Sequence, residues 1–133
     1  MTFANARNMY RRSEAAAPVE ATDPHEIISV TLTELKRALE ILAAAKEEGL
    51  PYPGHYLNRA FTAIYILQSS LDFEKGGEIA STLFSVYEFC RLQVADAFAR
   101  KNEAKLREAA GHIEGILQAW SEMKPRLEAT DAR

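Results

Sequence analysis

The chain has 133 residues, of which 47% are hydrophobic and 26% are charged, and its formal net charge is −3 at pH 7. This length corresponds to one domain that can bury a hydrophobic core. The negative charge, with no Lys/Arg cluster longer than the Arg11 and Arg12 pair, argues against nucleic-acid binding, which needs a basic surface. The single cysteine, Cys90, cannot form an intramolecular disulfide and fits a reducing compartment.

The N-terminal residues show neither a targeting segment nor regular periodicity. No hydrophobic run approaches the roughly 18 residues that a membrane-spanning helix requires, and the first residues lack the continuous apolar core of a secretory signal. Residues 1–22 are rich in Ala, Asn, Arg and Ser. The sequence therefore predicts a cytoplasmic protein with no membrane insertion and with a mobile N-terminal arm over residues 1–22.

The first predicted helix begins with a clear local signal. Asp23 can cap the helix, Pro24 suits its first position, and Glu26 can reach back to the amide of the cap. Beyond them, apolar residues recur at steps of three and four, as in the seam of a bundle: Ile28, Leu32, Leu35, Leu39 and Leu42. The pattern predicts a helix over residues 24–48, ended by Gly49.

Three more helices follow a loop at residues 50–54, where two prolines remove amide donors and exclude a helix. The second helix, predicted over residues 55–71, carries on one face Leu57, Ala60, Ile64, Leu67 and Leu71. The third, over residues 78–100, carries Ile79, Leu83, Val86, Cys90, Val94 and Ala97. The fourth, over residues 103–124 with Asn102 as its cap, carries Leu106, Ala110, Ile113, Leu117 and Trp120.

Short links between these long amphipathic helices favour antiparallel neighbours. No segment shows the alternating pattern of a β-strand. The sequence therefore predicts an all-α fold, an antiparallel four-helix bundle over residues 23–127, with the mobile N-terminal arm before it and a disordered tail over residues 128–133 after it.

A second set of apolar residues widens the faces of the second and third helices. It consists of Phe61, Tyr65, Phe84, Tyr87 and Phe98. A helix in such a bundle needs about three buried positions in seven, and these aromatic residues exceed that number. One interpretation is a thick core with tyrosines at its rim. The other is an exposed apolar groove that accepts a partner helix.

Residues that would support catalysis or metal binding are sparse. Cys90 lies in the middle of an apolar stripe, where a buried thiol acts as a small hydrophobic residue. Glu108 and His112 lie one helical turn apart, which is typical of a solvated pair, and no Glu-x-x-His element is present. The sequence predicts no enzyme, no catalytic residue, no metal site and no cofactor, with a metal-binding or catalytic bundle as the alternative.

The segment between the second and third helices is the most distinctive in the chain. Gly76 and Gly77 can adopt backbone angles closed to other residues, so they can end one helix and open the next. Charged residues keep this elbow solvated. The elbow motif comprises Asp72, Glu74, Lys75, Gly76, Gly77 and Glu78. Beyond the motif, Ile79 and Leu83 restart a stripe that we expect to be buried.

This elbow resembles the corresponding segment of the FliS family of flagellar export chaperones. The resemblance rests on Leu71 and Asp72, residues 74–80, Leu83 and residues 87–89. Weaker similarity extends over most of the chain, at Tyr10, residues 23–28, residues 58–60, Ile64, Leu67, Ala97, Lys101, Asn102, Ala119 and Trp120. The chain differs from the family pattern at Leu32, Thr33 and Glu34, where the family has an aromatic residue and then Asp-Gly, and in the loop at residues 51–54.

The resemblance implies a non-catalytic cytoplasmic chaperone. Such a protein binds the disordered C-terminal region of flagellin, prevents premature polymerisation and aids delivery to the flagellar type III export gate. We assign the flagellin-binding groove to Tyr10, Ile28, Phe61, Ile64, Tyr65, Leu71, Ile79, Leu83, Phe84 and Tyr87. In the absence of flagellin, Tyr10 would cover this groove. The alternative is a regulatory adaptor that binds an amphipathic helix of another flagellar assembly protein, and a weak homodimer through the groove stays open.

Overall fold

The computed structural model describes the backbone of residues 23–131 and the side chains of residues 23–123. Over this range the chain forms α-helices and no strand, which confirms the predicted all-α fold. The helices are α1 Pro24–Glu47, α2 Gly54–Ser69, α3 Phe73–Phe98 and α4 Leu106–Asp131. The predictions for the N-terminal arm, for Tyr10 and for residues 132–133 lie outside the described residues.

Local signals at both ends define α1. The Asp23 side chain accepts a hydrogen bond from the His25 amide at 2.9 Å, and Pro24 occupies the first turn. At the other end Gly49 has φ +70°, and the amides of Gly49 and Leu50 bond back to the carbonyls of the last turn. These two bonds form a Schellman motif, in which glycine takes the left-handed position at no steric cost.

The four helices pack as a bundle around one hydrophobic core, with α1 in contact with α2 and α4, and α3 against α2. The contact of α3 with α4 is the least extensive between neighbours. The largest fully buried side chains are Leu32, Leu35, Leu39, Leu42, Ile64, Leu67, Cys90, Val94, Leu106 and Ile113. Each buried leucine or isoleucine stabilises the fold by about 1.5–3 kcal/mol. The predicted four-helix bundle is therefore confirmed.

The boundary between α2 and α3 differs from the prediction. The second helix ends at Ser69, and α3 begins at Phe73 instead of residue 78. The reason is Asp72, whose side chain accepts from the amides of Glu74 and Lys75, at 3.0 Å each. This cap starts a helical turn before the glycine pair. Gly77 (φ 51°, ψ −123°) is non-helical and separates this first turn from the longer helical segment that follows, as predicted for the glycine pair.

The start of α4 also differs from the prediction. Asn102 lies in the turn before α4 and is not its cap, because the helix begins at Leu106. The amide of Lys105, next to the helix start, donates instead to the Gln93 side chain of α3 at 2.8 Å. The helix continues to Asp131, beyond the predicted end at residue 124 and through residues 128–131 of the predicted disordered tail. A proline removes a single backbone donor, and α4 continues through Pro125.

We predict that Gly77→Ala destabilises the protein, because a Cβ at this φ and ψ is strained by about 1–3 kcal/mol. Gly111→Ala is the matched control, since Gly111 lies on an exposed face of α4 with open space around its Cα. There alanine should stabilise the helix by about 0.5–1 kcal/mol. Urea unfolding followed by circular dichroism measures both. An unchanged free energy of unfolding for Gly77→Ala would contradict the kink.

Candidate functional site

One stripe of α3 loses its burial towards the elbow, although Ala80 and Tyr87 on the adjoining face stay buried. Ala97, Val94 and Cys90 are fully buried in the core. Towards the elbow, Val86 and Leu83 are only half-buried, and Ile79 is 72% exposed. All these positions share one face of the helix, at spacings of three and four residues. The stripe therefore continues past the point where the bundle covers it.

The stripe of α4 opens in the same way, in the opposite chain direction. Leu106 and Ile113 are fully buried. Further along the helix, Ile116 and Trp120 are half-buried and Met123 is exposed. The fourth helix starts at the loop that joins α3 to α4, and we call this end of the bundle the loop end. The exposed part of α4 therefore lies at the opposite end, beside the elbow. Both helices thus present core-type side chains at the same end of the molecule.

Two contacts establish the register between α3 and α4. The Gln93 side chain accepts from the Lys105 amide at 2.8 Å, and the Cys90 thiol lies 3.9 Å from the Ala109 carbonyl oxygen. Both pairs lie near the loop end, where the seam between α3 and α4 is closed. Each step towards the elbow along α3 corresponds to one step forward along α4, since the two helices run antiparallel.

This register places the two exposed stripes opposite each other. Continued towards the elbow, it brings Leu83 level with Ile116, and Ile79 level with Trp120. Their partial exposure shows that the seam is not closed there. We infer an open groove between the two stripes at this end, call it the elbow-end groove, and assign to it Ile79, Leu83, Val86, Ile116 and Met123 from their exposure.

A clamp between His25 and Trp120 holds the far half of α4 against α1. The two rings stack with centroids 4.5 Å apart and planes 9° from parallel. Trp120 Nε1 donates to the His25 carbonyl oxygen at 3.0 Å, and His25 Nε2 lies 3.0 Å from the Trp120 carbonyl oxygen. Because a carbonyl only accepts, Nε2 carries a proton. Nδ1 is then buried with no hydrogen-bond partner among the described residues.

Contacts at the loop end complete the attachment of α4 to α1. Arg107 pairs with Glu47 at 2.8 Å, and Lys46 Nζ donates to the Ala104 carbonyl oxygen at 2.5 Å. The hydrogen bond from Arg107 holds the pKa of the Glu47 carboxyl below its ordinary value. The fourth helix is thus attached to α1 at its start and at Trp120. Together with the His25 clamp, these contacts keep α4 on α1 where α3 diverges from it.

Four aromatic residues line a second surface on the outside of the contact between α2 and α3. Tyr65 is 63% exposed, and Phe61 packs edge-on against Phe98 with centroids 6.5 Å apart. Phe84 is exposed and contacts Phe73 near the elbow. We call Phe61, Tyr65, Phe84 and Phe98 the α2–α3 seam. The predicted second apolar register is therefore exposed at Tyr65, Phe84 and Phe98, whereas Phe61 is half-buried and packs against the core.

Two predicted groove residues lie in the core and offer no surface to a partner. Tyr87 is only 3% exposed and Ile64 is fully buried. Burial raises the pKa of Tyr87 to about 12. Of the other predicted groove residues, Ile28 and Leu71 are half-buried and pack against the core. The prediction that Tyr87 lies in the groove was thus wrong, because its ring packs inside the core cluster.

Cys90 is buried, and His112 is paired with Glu108 on the surface. Burial raises the pKa of the Cys90 thiol to about 12, so the thiol stays protonated inside the core. His112 lies 3.8 Å from Glu108 on the surface and contacts Phe89 edge-on. Among residues 23–123, no three His, Cys, Asp or Glu side chains lie close enough to hold a metal ion. No described helix is both long and apolar enough to cross a membrane.

A depression of about 400 Å³ lies at the loop end, far from the elbow-end groove. Its lining includes Lys46, Glu47, Lys105, Arg107 and Glu108. The ion pair between Glu47 and Arg107 uses two of these charges, and Lys46 binds a backbone carbonyl. The exposed apolar side chains, and not this depression, are therefore the candidate functional surface.

Residues 6–127 match the family model described as "Flagellar protein FliS". The chain belongs to the FliS family. Within the matched range lie the elbow motif, the elbow-end groove and the α2–α3 seam. The resemblance predicted from the elbow sequence is confirmed by this match.

Individual FliS relatives cover nearly the whole chain. The flagellar secretion chaperone FliS of Salmonella typhimurium is 27% identical over 135 residues, which cover 100% of both chains. The one from Vibrio cholerae is 27% identical over 117 residues, covering 87% of this chain and 86% of the relative. The one from Campylobacter jejuni is 30% identical over 122 residues, covering 89% and 90%. No solved structure matches the chain significantly.

Two isoleucines on corresponding stripes test how the groove differs from the core. Ile113→Ala should destabilise the protein by about 2–5 kcal/mol, because the side chain is fully buried. Ile79→Ala should change the free energy of unfolding by less than about 0.5 kcal/mol, since the side chain is mostly in solvent. Urea unfolding of the two variants measures the difference. A similar loss for both would show that Ile79 is buried in solution.

Proposed function

We propose that this chain is a flagellar secretion chaperone that holds the C-terminal segment of flagellin before export. Membership of the FliS family supports this role, as does the name "flagellar secretion chaperone" carried by its relatives in Salmonella and Vibrio. The observation that carries the proposal is the exposure of Ile79 on the stripe that forms the core further along α3. A chain segment with apolar side chains would continue the core packing there.

The chemistry of both exposed surfaces suits a disordered guest. Aliphatic residues line the elbow-end groove, and aromatic residues line the α2–α3 seam on the other side of α3. An extended segment can cover both surfaces, and each Å² of apolar area removed from water contributes about 25 cal/mol. The ordering of the guest costs part of this gain. The bound state is then stable enough to prevent polymerisation and can still release flagellin at the export gate.

The position of α1 relates the N-terminal residues to the groove. The first helix starts at Asp23, and His25 lies against Trp120 at the elbow end. Residues 1–22 therefore join the bundle at the end where the groove is open. We extend the proposal to Tyr10, which would occupy the groove in the free protein and leave it when flagellin binds.

Binding of a flagellin C-terminal fragment tests the groove directly. Ile79→Asp should weaken binding roughly 10- to 100-fold, because it removes the burial of one large apolar side chain, about 1.5–3 kcal/mol. The matched control is Leu50→Asp, since Leu50 is 56% exposed in the loop at the opposite end of the bundle. This control should bind like wild type. Isothermal titration calorimetry measures the affinities, and circular dichroism checks the fold.

Flagellin without its C-terminal segment provides the second test of the binding mode. We expect no binding of this truncated flagellin. Equal binding of truncated and full-length flagellin would contradict the proposed segment. If neither full-length nor truncated flagellin binds, and another flagellar assembly protein binds tightly, the result would support the regulatory adaptor instead.

A further inference from the structure

The two ends of the bundle differ in their charged residues. At the loop end, acidic and basic side chains occur together, and Arg107 pairs with Glu47 at 2.8 Å. At the elbow end, Lys75 is the one basic side chain among the described residues, and the acidic ones are Asp23, Glu26, Asp72, Glu74, Glu78 and Glu122. The end of the bundle at which the elbow-end groove opens is therefore strongly acidic.

Three of these carboxylates are available to a partner. The side chains of Glu74, Glu78 and Glu122 are exposed, and none of them forms an ion pair or a hydrogen bond within residues 23–123. Asp72 differs, because its side chain accepts from two amides at the start of α3. Unpaired charges of one sign in the same region attract a partner of the opposite sign.

Glu78 lies on the flank of α3 that faces α4. Phe89 marks this flank, since its ring contacts His112 of α4 edge-on with centroids 5.5 Å apart. Glu78 precedes Phe89 by 11 residues in the helical part of α3. At 3.6 residues per turn this spacing is about three turns, so the two positions lie within about 20° of each other. Glu78 therefore lies beside Ile79, on the side of the groove towards α4.

Glu122 lies at the same end of the groove on the other helix. The register that brings Ile79 level with Trp120 places Glu122 within about one residue, or 1.5 Å, of the level of Glu78. Glu122 also directly precedes Met123, which belongs to the groove. Both helices that form the elbow-end groove thus carry an unpaired carboxylate at its open end.

We propose that the elbow-end groove selects guest segments whose apolar residues are flanked by lysine or arginine, with Glu78 and Glu122 as the selecting residues; this rests on the proposed function and adds the chemical class of the guest. The apolar side chains of the guest would supply most of the affinity. The carboxylates would speed association and fix the orientation of the guest. A lysine or arginine can pair with them while its methylene groups cover apolar surface.

The charges favour such a guest over other occupants. A second copy of this chain would bring the same carboxylates against themselves, and like charges repel. Residues 1–22 are the alternative occupant, because they join the bundle at this end and include Arg11 and Arg12. The experiment therefore has to separate a guest from residues 1–22.

Two synthetic peptides of equal length test the selection on the full chain. Both carry leucines at the same helical spacing, and the residues beside the leucines are lysine in one peptide and glutamate in the other. The lysine peptide should bind at least about tenfold more tightly in isothermal titration calorimetry. Its advantage should shrink as sodium chloride rises from about 0.05 to 0.5 M, because salt screens exposed charges. Equal affinities for the two peptides would overturn the proposal.

Charge reversal assigns the selection to the two carboxylates. Glu78→Lys combined with Glu122→Lys should reverse the preference between the peptides. The matched control combines Glu48→Lys with Glu103→Lys, which changes the net charge equally at exposed positions of the opposite end and should keep the wild-type preference. Circular dichroism checks that both variants are folded. An unchanged preference in the first variant would contradict the proposal. So would its tighter binding of the lysine peptide, which would assign the carboxylates to residues 1–22.

A flagellin C-terminal fragment separates this inference from the proposed function. If the fragment binds and the chain does not distinguish the two peptides, the charge selection fails and the proposed function stands. If the fragment does not bind and the lysine peptide is preferred through Glu78 and Glu122, the charge selection stands and the proposed function fails.

Discussion

The clamp between His25 and Trp120 determines how α4 is shared between its two neighbours. Ring stacking and two 3.0 Å contacts hold the far half of α4 on α1, and the pair of Arg107 with Glu47 holds its start. The hydrogen-bond contacts of α3 with α4 in the described part of the chain lie near Cys90 and the loop end. Because α4 follows α1 from Arg107 to Trp120, the seam with α3 opens towards the elbow.

An open seam explains how a bundle with an ordinary core can also hold a guest. The stripe of α3 has one chemical character throughout, but its loop-end half is sealed by α4 and its elbow-end half is not. The exposed half contributes little to the free energy of unfolding of the free protein, because its side chains lie outside the sealed core. The same residues gain free energy once a flexible segment covers them. The bundle thus provides a preformed surface, so only the guest segment loses conformational entropy when it binds.

Local sequence signals predicted the helices, and contacts between distant residues decided the site. The leucines of α1, the Asp23 cap and Gly49 act within a few residues, so the spacing of the chain reveals them. Ile79 was expected in a buried stripe because periodicity gives the face of a helix but not how far the neighbouring helix stays in contact with it. The clamp was missed because His25 and Trp120 lie 95 residues apart and neither has a local signal for the contact.

Hydrogen exchange along α3, measured by mass spectrometry, tests the open seam most directly. Amides in the sealed half, from Cys90 to Ala97, should exchange at least tenfold more slowly than those from Glu78 to Val86, because local opening is easier where few apolar contacts must be broken. A bound flagellin fragment should slow exchange in the second group and leave the first unchanged. Uniform protection along α3 in the free protein would contradict an open seam.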